Sequence, residues 1–244
     1  MKKMIIYGKH SVQERLRLRP HTIKHIFMLD IFDSEGILGL IKKNSVPCKI
    51  VSKDEMSRKI RADRLQGIIA EIEPFQYTDI KKLLRDDSKN KLTWVILNGL
   101  NDPHNIGAIL RTAACFGNFV LVIPKHRSCE INETVLHVSS GAENYVPVVC
   151  VANITNTLIQ LKQNGYWIAS ADAHHGDILY KTSIPFPLCL ILGSEGKGIS
   201  SGLRKYIDLT LNIPMQGANL SFNVAASAAI VFYEITKQIK NTKP

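Results

Sequence analysis

The stretch that decides the fold is Leu190-Ile-Leu-Gly-Ser-Glu-Gly-Lys-Gly-Ile-Ser200, followed by Ile213-Pro-Met-Gln-Gly-Ala-Asn-Leu-Ser-Phe-Asn223 and by an apolar helix from Val224 to Tyr233. No formally charged side chain occurs between Asp208 and Glu234, so this part of the chain is expected to be buried on nearly every side. The apolar helix is shorter than the roughly 20 residues that a membrane span requires. Open backbone and polar side chains directly before a buried helix indicate a small-molecule pocket.

The composition of the 244-residue chain favours a folded protein with a polyanionic partner. Lys and Arg together number 31 against 21 Asp and Glu, which gives a formal charge of +10, and 45% of the residues are hydrophobic. A surplus of positive charge of this size is typical of proteins that bind nucleic acid. A basic surface that serves only solubility is the alternative at this point. The length predicts one large or two small domains.

The cysteine and histidine residues do not form a recognisable framework. The five cysteines are scattered without a Cys-x-x-Cys pair, and most lie in apolar runs, so we predict reduced core residues. His174 and His175 are too few for a metal site, and no metal is expected. The N-terminus lacks the long apolar region of a signal peptide. These features predict a cytoplasmic protein without a membrane partner.

Residues 1–75 have the pattern of a small α/β domain, because short apolar strands alternate with helical stretches. The expected strands are Met4–Tyr7, His25–Leu29, Cys48–Val51 and Gly67–Glu73, and the expected helices are Ser11–Leu18, Glu35–Lys43 and Lys53–Ile60. Ser11 and Ser52 are predicted N-caps. The many basic residues of this domain are either solvated helix faces or contacts to RNA phosphates. Residues 76–91 are polar and are predicted to be a linker with one short helix.

Residues 92–244 carry longer strands that are rich in Val, Ile and Leu and alternate with helices. This pattern predicts an α/β domain whose mostly parallel sheet is covered on both faces. The expected strands are Thr93–Leu97, Phe119–Ile123, Val146–Val151, Trp167–Ala171, Leu188–Leu192 and Leu209–Ile213, and the expected helices are Ile106–Phe116, Glu133–Ser139, Ile154–Gln163, Ser200–Tyr206 and Phe222–Ile239. Ligands of such sheets bind outside the carboxyl ends of the strands, so we expect the site in the loops there.

The first of these loops is Asn98–Gly107, which leads into a helix. Asn105 is predicted to be the N-cap of that helix, and Gly117 is predicted to end it. Arg111 is the only formally charged side chain of the helix. From the residue pattern it is either an exposed solubilising residue or a positioned functional one.

The other two loops are the stretches quoted at the start. The glycines of Gly193–Gly198 let the backbone approach a ligand closely, although their spacing is that of neither a P-loop nor a GxGxxG turn. By residue type alone, Glu195 is either a solvated loop carboxylate or a site residue. In the second loop, Ser221 or Asn219 is predicted to cap the last helix, with Asn223 one turn inside it.

Taken together, these segments resemble the SpoU (TrmH-like) family of RNA 2′-O-ribose methyltransferases, within the SPOUT class. The matching motifs follow the family's order and spacing and are Asn105-Ile-Gly-(x3)-Arg111-Thr-Ala-(x2)-Phe-Gly117, Leu192-Gly-Ser-Glu-Gly-Lys-Gly198 and Ile213-Pro-Met-(x5)-Ser221-Phe-Asn-Val-Ala225. Near the start, Tyr7-Gly-Lys-His-Ser-Val12 and Gln66-Gly-Ile-Ile-Ala70 resemble the family's substrate-binding domain, which has a ribosomal-protein-like fold. The resemblance therefore spans nearly the whole chain.

The resemblance implies a trefoil knot at about residues 190–233, a homodimer packed around it, and S-adenosyl-L-methionine (AdoMet) bound within it. Arg111 would lie beside the ribose 2′-oxygen as a base or as a phosphate anchor. The residues that would order Arg111 and the RNA are Asn105, Glu195, Ser221 and Asn223. The residues whose backbone would hold the cofactor are Leu192, Gly193, Ile213, Met215, Leu220 and Phe222.

The implied activity is AdoMet-dependent methylation of a ribose 2′-hydroxyl of RNA. The chain is most similar to the bacterial branch that modifies a guanosine of 23S rRNA, although Asn98 and Leu65 depart from the Asp and His that are common there. Other targets in tRNA or rRNA remain open, as does a resistance methylation of rRNA. A non-catalytic RNA-binding ribosome-assembly factor is an alternative of another class. A dinucleotide-dependent oxidoreductase is less consistent, because the first strand lacks the GxGxxG turn.

Overall fold

The computed structural model of the protein describes residues 3–32, 35–60, 66–86, 92–194, 196, 198–217 and 220–241. The first eight elements are β1 (Met4–Tyr7), α1 (Lys9–Leu18), β2 (Ile23–Leu29), α2 (Glu35–Lys43), β3 (Cys48–Val51), α3 (Lys53–Lys59), β4 (Ile68–Ile72) and α4 (Ile80–Asp86). The elements that follow are β5 (Thr93–Asn98), α5 (Pro103–Phe116), β6 (Phe119–Pro124), α6 (Glu133–Ser139), β7 (Val148–Val151), α7 (Ile154–Gln163), β8 (Trp167–Asp172), β9 (Asp177–Ile178), β10 (Leu188–Gly193), α8 (Ser201–Arg204), β11 (Leu209–Asn212) and α9 (Val224–Asn241).

The chain divides into two compact units. The first comprises Met1–Gln76 and Ile131–Tyr145, and the second comprises Tyr77–Glu130 and Val146–Pro244. Helix α6 therefore belongs to the first unit, although in sequence it lies between two strands of the second. None of the described helices combines the length and the apolar character that crossing a membrane requires.

The first unit is built on a four-stranded sheet of order β1-β4-β2-β3. Strand β4 runs antiparallel to both neighbours, and β2 pairs with β3 in parallel. Residues of α6 close the β1 edge, because Glu133 Oε1 accepts a 2.7 Å hydrogen bond from the Ile5 backbone N–H and the His137 ring stacks on Tyr7. An edge strand with an N–H group bonded to a side chain in this way is protected at that position from pairing with another chain.

The core of the first unit contains a buried ion pair. Arg15 on α1 donates through Nη2 to Glu143 Oε1 at 3.0 Å, and the two side chains are 4% and 0% exposed. Ser139 and Asn144 also donate to the Glu143 carboxylate, at 3.0 and 3.1 Å. A charge removed from water in this way is tolerated only when it is paired and hydrogen-bonded, so segment 131–145 is integral to the first unit.

The second unit contains a seven-stranded sheet in which every pairing is parallel, with the order β7-β6-β5-β10-β8-β11-β9. All six residues of β5 are buried. One face packs Trp94 and Leu158 into a common core, and on the other Phe232 of α9 stacks on Phe119 at 4.3 Å between ring centroids. The predicted parallel sheet with helices on both faces is thereby confirmed.

The strand order places a topological switch point between β5 and β10. After β5 the chain moves outward through β6 and β7, then returns to the other side of β5. Asn98 and Gly193, the last residues of β5 and β10, are direct partners in the register. Crevices at such points, beyond the carboxyl ends of the strands, are where ligands of open parallel sheets bind.

The helix ends correct several local predictions in residues 92–244. The N-cap of α5 is Asp102, whose Oδ1 accepts from the His104 N–H at 2.9 Å, because Pro103 occupies the first helical position and starts the helix early. Asn105 therefore lies inside the first turn, and its predicted capping role is wrong. Gly117 ends the helix at φ 73°, as predicted. Asn223 caps α9 by accepting from the Ala225 N–H at 2.9 Å.

For α9, the predicted cap at Ser221 and the placement of Asn223 one turn inside the helix are consequently wrong, and Asn219 lies outside the described residues. In the first unit, Ser52 caps α3 as predicted, since its Oγ accepts from the Glu55 N–H at 3.2 Å. The predicted cap at Ser11 is wrong, because the N-cap of α1 is Gly8, at φ 90°, three residues before Ser11.

The cysteines are all free, as predicted, but only Cys189 is a core residue. Cys48 lies on the edge strand β3 and Cys115 on the outer side of α5, and both are exposed. Cys129 and Cys150 are half-buried. An apolar sequence context did not distinguish an outward-facing position from an inward-facing one. Burial raises the pKa of the Cys189 thiol far above its ordinary value.

Candidate active site

A cavity of about 300 Å³ opens at the carboxyl ends of β8 and β10 in the second unit. Its walls come from four segments: the end of β8 with the turn after it, the end of β10 with its glycine loop, the segment after β11, and the first turn of α9. The lining residues are Ala171, Asp172, Ala173, His174, Leu192, Gly193, Ser194, Gly196, Gly198, Ile199, Ile213, Met215, Ser221, Phe222, Val224 and Ser227. This volume is at the lower end of the roughly 300–1,000 Å³ that small-molecule sites occupy.

The glycine loop after β10 folds back on itself against this cavity. The Gly198 N–H donates to the Ser194 carbonyl at 2.9 Å, and these residues form an isolated antiparallel bridge. A Cβ atom on Gly193 would lie 2.5 Å from the Gly198 carbonyl carbon and 2.8 Å from the Ile199 nitrogen. Position 193 therefore accepts only glycine without movement of the cavity wall, and the fold explains the glycine that the sequence displays there.

Five of the six residues expected at the cofactor line this cavity together, and they are Leu192, Gly193, Ile213, Met215 and Phe222. The sixth, Leu220, lies at a neighbouring cavity that shares three lining residues with the first, Ala173, His174 and Met215. Ser221, expected among the RNA-ordering residues, also lines the first cavity. The two quoted stretches thus converge on one space, although they are separated by α8 and β11.

Asp172 is the one carboxylate among the described residues that line the first cavity. Partial burial by itself raises the pKa of Asp172, but two backbone N–H groups, of His174 and His175, donate to Oδ1 at 2.9 and 3.1 Å, and together with the nearby His175 ring they lower the pKa by more than burial raises it. The resulting pKa is below the ordinary value of 3.8. The side chain is therefore ionised at neutral pH and gives the cavity a negative charge suited to a cationic ligand.

A second cavity, of about 640 Å³, adjoins the first and shares Ser194, Gly198 and Val224 with it. The remaining lining residues are Asn98, Gly99, Leu100, Asn101, Asp102, Asn105, Arg127 and Ser200. The Asn98 Oδ1 accepts from both the backbone N–H and the hydroxyl of Ser200, each at 3.0 Å. This pair of bonds ties the end of β5 to the segment after the glycine loop.

Two residues of the expected catalytic set meet directly. Asn223 Nδ2 donates to Asn105 Oδ1 at 2.9 Å, which links the start of α9 to the first turn of α5. Arg111 lies on the exposed side of α5, six residues or about 9 Å of helix further along, and is not among the lining residues of the two cavities. Glu195, also expected here, lies outside the described residues.

Three charged residues at the cavities were not among the site residues expected from the sequence, and they are Asp102, Asp172 and Arg127. Asp172 follows the apolar run of β8 directly, so its place at a carboxyl strand end was a signal that could have identified it. Arg127 stands in a polar turn after β6 and reaches the second cavity only through the fold of that turn. Its φ of 58°, rare for a long side chain, is visible only in the structure.

Comparisons with known proteins agree with this geometry. Residues 93–233 match the model of the SpoU rRNA Methylase family, and residues 5–78 match the model for RNA 2′-O ribose methyltransferase substrate binding. A Staphylococcus saprophyticus protein named for the TrmH family of tRNA/rRNA methyltransferases is 35% identical over 243 residues, which are 98% of this chain and 97% of that protein. A Staphylococcus aureus protein named for the same family is 32% identical, with the same coverage.

Two solved structures show the same fold along nearly the whole chain. The SpoU methyltransferase AviRb from Streptomyces viridochromogenes, crystallised with AdoMet, gives a TM-score of 0.82 at 19% identity and covers 98% of this chain and 91% of its own. A TrmH family structure from Porphyromonas gingivalis gives 0.72 at 25% identity, with 95% and 88% covered. With the family model matched across the parallel sheet and both quoted stretches, the chain belongs to the SpoU family of RNA methyltransferases.

Proposed function

We propose that this protein transfers the methyl group of AdoMet to a ribose 2′-hydroxyl of RNA. The observation that carries the proposal is the pair of adjoining cavities at the switch point, one with apolar walls and a carboxylate and the other lined by amides. A reaction between two bound partners needs two sites that share a wall, so that the reacting atoms can meet. The match of residues 5–78 to a substrate-binding model of RNA 2′-O ribose methyltransferases supports RNA as the substrate and the ribose 2′-oxygen as the methyl acceptor.

The first cavity fits the cofactor by shape and charge. Leu192, Ile213 and Phe222 supply apolar wall for an adenine ring, and Gly193 allows backbone to approach the ligand closely. The ionised carboxylate of Asp172 complements a ligand that carries an ammonium and a sulfonium. When bound, AdoMet supplies a methyl group made electrophilic by its positively charged sulfur.

The residues of this chain would position the ribose against the methyl donor, and the 2′-proton would pass to water as the oxygen–methyl bond forms and the sulfur–methyl bond breaks. A ribose 2′-hydroxyl is a weak nucleophile at neutral pH, and correct alignment can lower a barrier by up to roughly 7–11 kcal/mol. The hydrogen bond between Asn105 and Asn223 fixes the two helix starts that flank the second cavity. We assign these two residues, with Ser221 and Glu195, the ordering of the RNA.

We assign Arg111 the role of phosphate anchor. An arginine side chain keeps its proton at neutral pH and offers a planar set of donors to phosphate oxygens, which makes it a poor base and a good anchor. Its exposed position on α5 leaves it accessible to a large polyanionic substrate. The role of phosphate anchor does not require Arg111 to line the cofactor cavity.

We further propose a homodimer through the C-terminal half, with a knotted tail over about residues 190–233. Large apolar side chains of this half are exposed in the single chain, with Leu220 at 72%, Phe222 at 45% and Tyr233 at 60%. Apolar surface of this kind, next to the proposed active site, is suited to a second copy of the chain. Light scattering after size exclusion tests this, since the dimer has twice the 27.3 kDa of the chain.

The target that we propose is a guanosine of 23S rRNA, methylated in the cytoplasm. In this proposal residues 1–75 bind the RNA, residues 76–91 link the two domains, and residues 92–244 transfer the methyl group. The formal charge of +10 supports a long polyanionic substrate. The relatives are named for both tRNA and rRNA, so tRNA is the alternative target.

The deciding experiment maps 2′-O-methyl positions in ribosomal and transfer RNA from cells with and without the protein, together with transfer of tritiated methyl from AdoMet to each RNA fraction in vitro. One position in 23S rRNA should depend on the protein. A position in tRNA would replace the proposed target and leave the chemistry in place. Tight RNA binding with no methyl transfer to either fraction would instead indicate an RNA-binding assembly factor.

A further inference from the structure

The second cavity contains a positive side chain without an intramolecular partner. Within the part of the chain that the structure describes, the Arg127 side chain makes no ion pair or hydrogen bond, and it is exposed. The single carboxylate among the described lining residues, Asp102, accepts from the His104 N–H as the cap of α5. An exposed guanidinium at the rim of a cavity is therefore available to an anionic ligand.

The backbone around Arg127 is held in an uncommon conformation. Arg127 has a φ of 58°, in the left-handed region that long side chains rarely adopt. The next two residues fix this turn to the cavity wall, because the Ser128 hydroxyl and the Cys129 N–H both donate to the Leu100 carbonyl, at 2.9 and 3.0 Å. A strained conformation that its surroundings hold in place is a reason to look for function.

The rest of the cavity suits a nucleotide. The amides of Asn98, Asn101 and Asn105 line it, and amides offer both donors and acceptors to the edge of a base. The walls at Ser194 and Gly198 are shared with the proposed cofactor cavity, so a sugar bound between the amides and this wall lies next to the methyl donor's site. A phosphate attached to that sugar would then lie near the rim of the cavity, where Arg127 is exposed.

We propose that the second cavity holds the target nucleotide of the RNA and that Arg127 binds a phosphate of that nucleotide. This inference rests on the proposed function. Arg127 is a substrate-binding residue, and its guanidinium fixes the register of the RNA so that the ribose faces the shared wall. Phosphate contacts of this kind position a nucleic acid without reading its sequence.

The experiment compares Arg127→Asn and Arg127→Lys with Arg85→Ala, an exposed arginine of the same unit on α4. Asparagine tolerates a positive φ, so the first variant removes the charge with little added strain. The RNA is the fraction, ribosomal or transfer, that accepts methyl from the wild-type protein. Binding to that RNA is measured between 50 and 200 mM salt, and AdoMet binding is measured by calorimetry.

Arg127→Asn should weaken RNA binding by roughly tenfold to 150-fold, as expected for loss of a hydrogen bond to a charged group. The slope of log affinity against log salt should become shallower by about 0.7 for one lost contact to a single strand. Arg127→Lys should keep the slope and part of the affinity, and AdoMet binding should stay within about twofold in every variant.

An Arg127→Asn protein with the same RNA affinity and salt slope as Arg85→Ala would overturn the assignment. A loss of AdoMet binding in Arg127→Asn as large as its loss of RNA binding would also overturn the assignment, because it would indicate a distorted loop. Failure of the wild-type protein to methylate any RNA would reject the proposed function itself. Because the wild-type protein is assayed first, this outcome is distinguished from a failure of the Arg127 assignment.

Discussion

Replacing Gly193 with alanine gives the sharpest test of the cofactor cavity. The added Cβ would lie 2.5 Å from the Gly198 carbonyl carbon, 2.7 Å from its oxygen and 2.8 Å from the Ile199 nitrogen. Carbon atoms in contact normally stay about 3.5–4.0 Å apart, so the backbone must move by about 1 Å. All three atoms belong to the main chain, so no side-chain rotation relieves the overlap.

The expected cost is about 1–3 kcal/mol, which is typical of overpacking in a tight region. If the glycine loop moves, this cost appears as weaker cofactor binding, and about 1–3 kcal/mol corresponds to roughly fivefold to 150-fold in Kd. If the loop stays, the same cost appears as a lower free energy of unfolding. Calorimetric titration with AdoMet and denaturant unfolding of the same protein therefore have to be measured together.

Gly202 provides the matched control. A Cβ atom there would meet no other atom within 4 Å, and the residue lies in the short helix α8. Gly202→Ala should leave AdoMet affinity unchanged and leave stability equal or slightly higher, because alanine favours helix. Wild-type affinity together with wild-type stability in Gly193→Ala would refute the steric argument, and with it the assignment of this loop as cavity wall.

Three further predictions concern charged residues. Arg111→Ala should reduce methyl transfer by a hundredfold or more while AdoMet affinity, measured by calorimetry, changes less than twofold; unchanged turnover would remove Arg111 from the mechanism. Asp172→Asn should weaken binding of AdoMet more than binding of S-adenosylhomocysteine, which lacks the sulfonium. Because the pKa of Asp172 is lowered from its ordinary value of 3.8, the contribution of this carboxylate to the wild-type preference should be lost only as the pH falls below about 4; equal losses for both ligands would contradict the charge argument. Glu143→Ala should lower the free energy of unfolding by about 3–5 kcal/mol, since it leaves the buried Arg15 without its partner, and a loss under 1 kcal/mol in denaturant unfolding would show that the pair contributes little.

Much of the sheet was predictable because buried parallel strands are continuous apolar runs. The expected strand Leu188–Leu192 differs from the observed β10 by one residue, and the expected helix Ile154–Gln163 is the observed α7. Such runs report burial directly, so they also predicted that both faces of the sheet are covered.

The order of the strands was not readable in the same way. The sequence of β10 does not indicate that this strand lies between β5 and β8. The pairing of β10 with β5 nevertheless creates the switch point, and both cavities lie beside it. Strand β9 is two residues long and has no periodicity to detect. Long-range pairing depends on which faces fit together in the whole fold, and local pattern does not carry that information.

The local errors at the site have a common cause. Asn105 was expected to cap α5 because its residue type favours caps, but Asp102 followed by Pro103 is the stronger start signal. Asn223 and Ser221 are both capping types, and only the observed bond to the Ala225 N–H decides between them. Residue type limited the N-cap of each helix to two or three neighbouring candidates. Which candidate caps the helix depends on the backbone geometry, which only the structure shows.

The excursion of residues 131–145 into the first unit has a consequence for how this protein can be divided. A fragment that stops near residue 76 would keep Arg15 and lose Glu143, and it would keep β1 and lose the carboxylate that covers its edge. A single cut between the two units would therefore leave the amino-terminal fragment with a buried arginine that has lost its carboxylate partner and with an uncovered edge at β1. Any chimera that borrows this RNA-binding half must inherit a piece of the transferase sequence with it, which constrains how the two halves can be recombined.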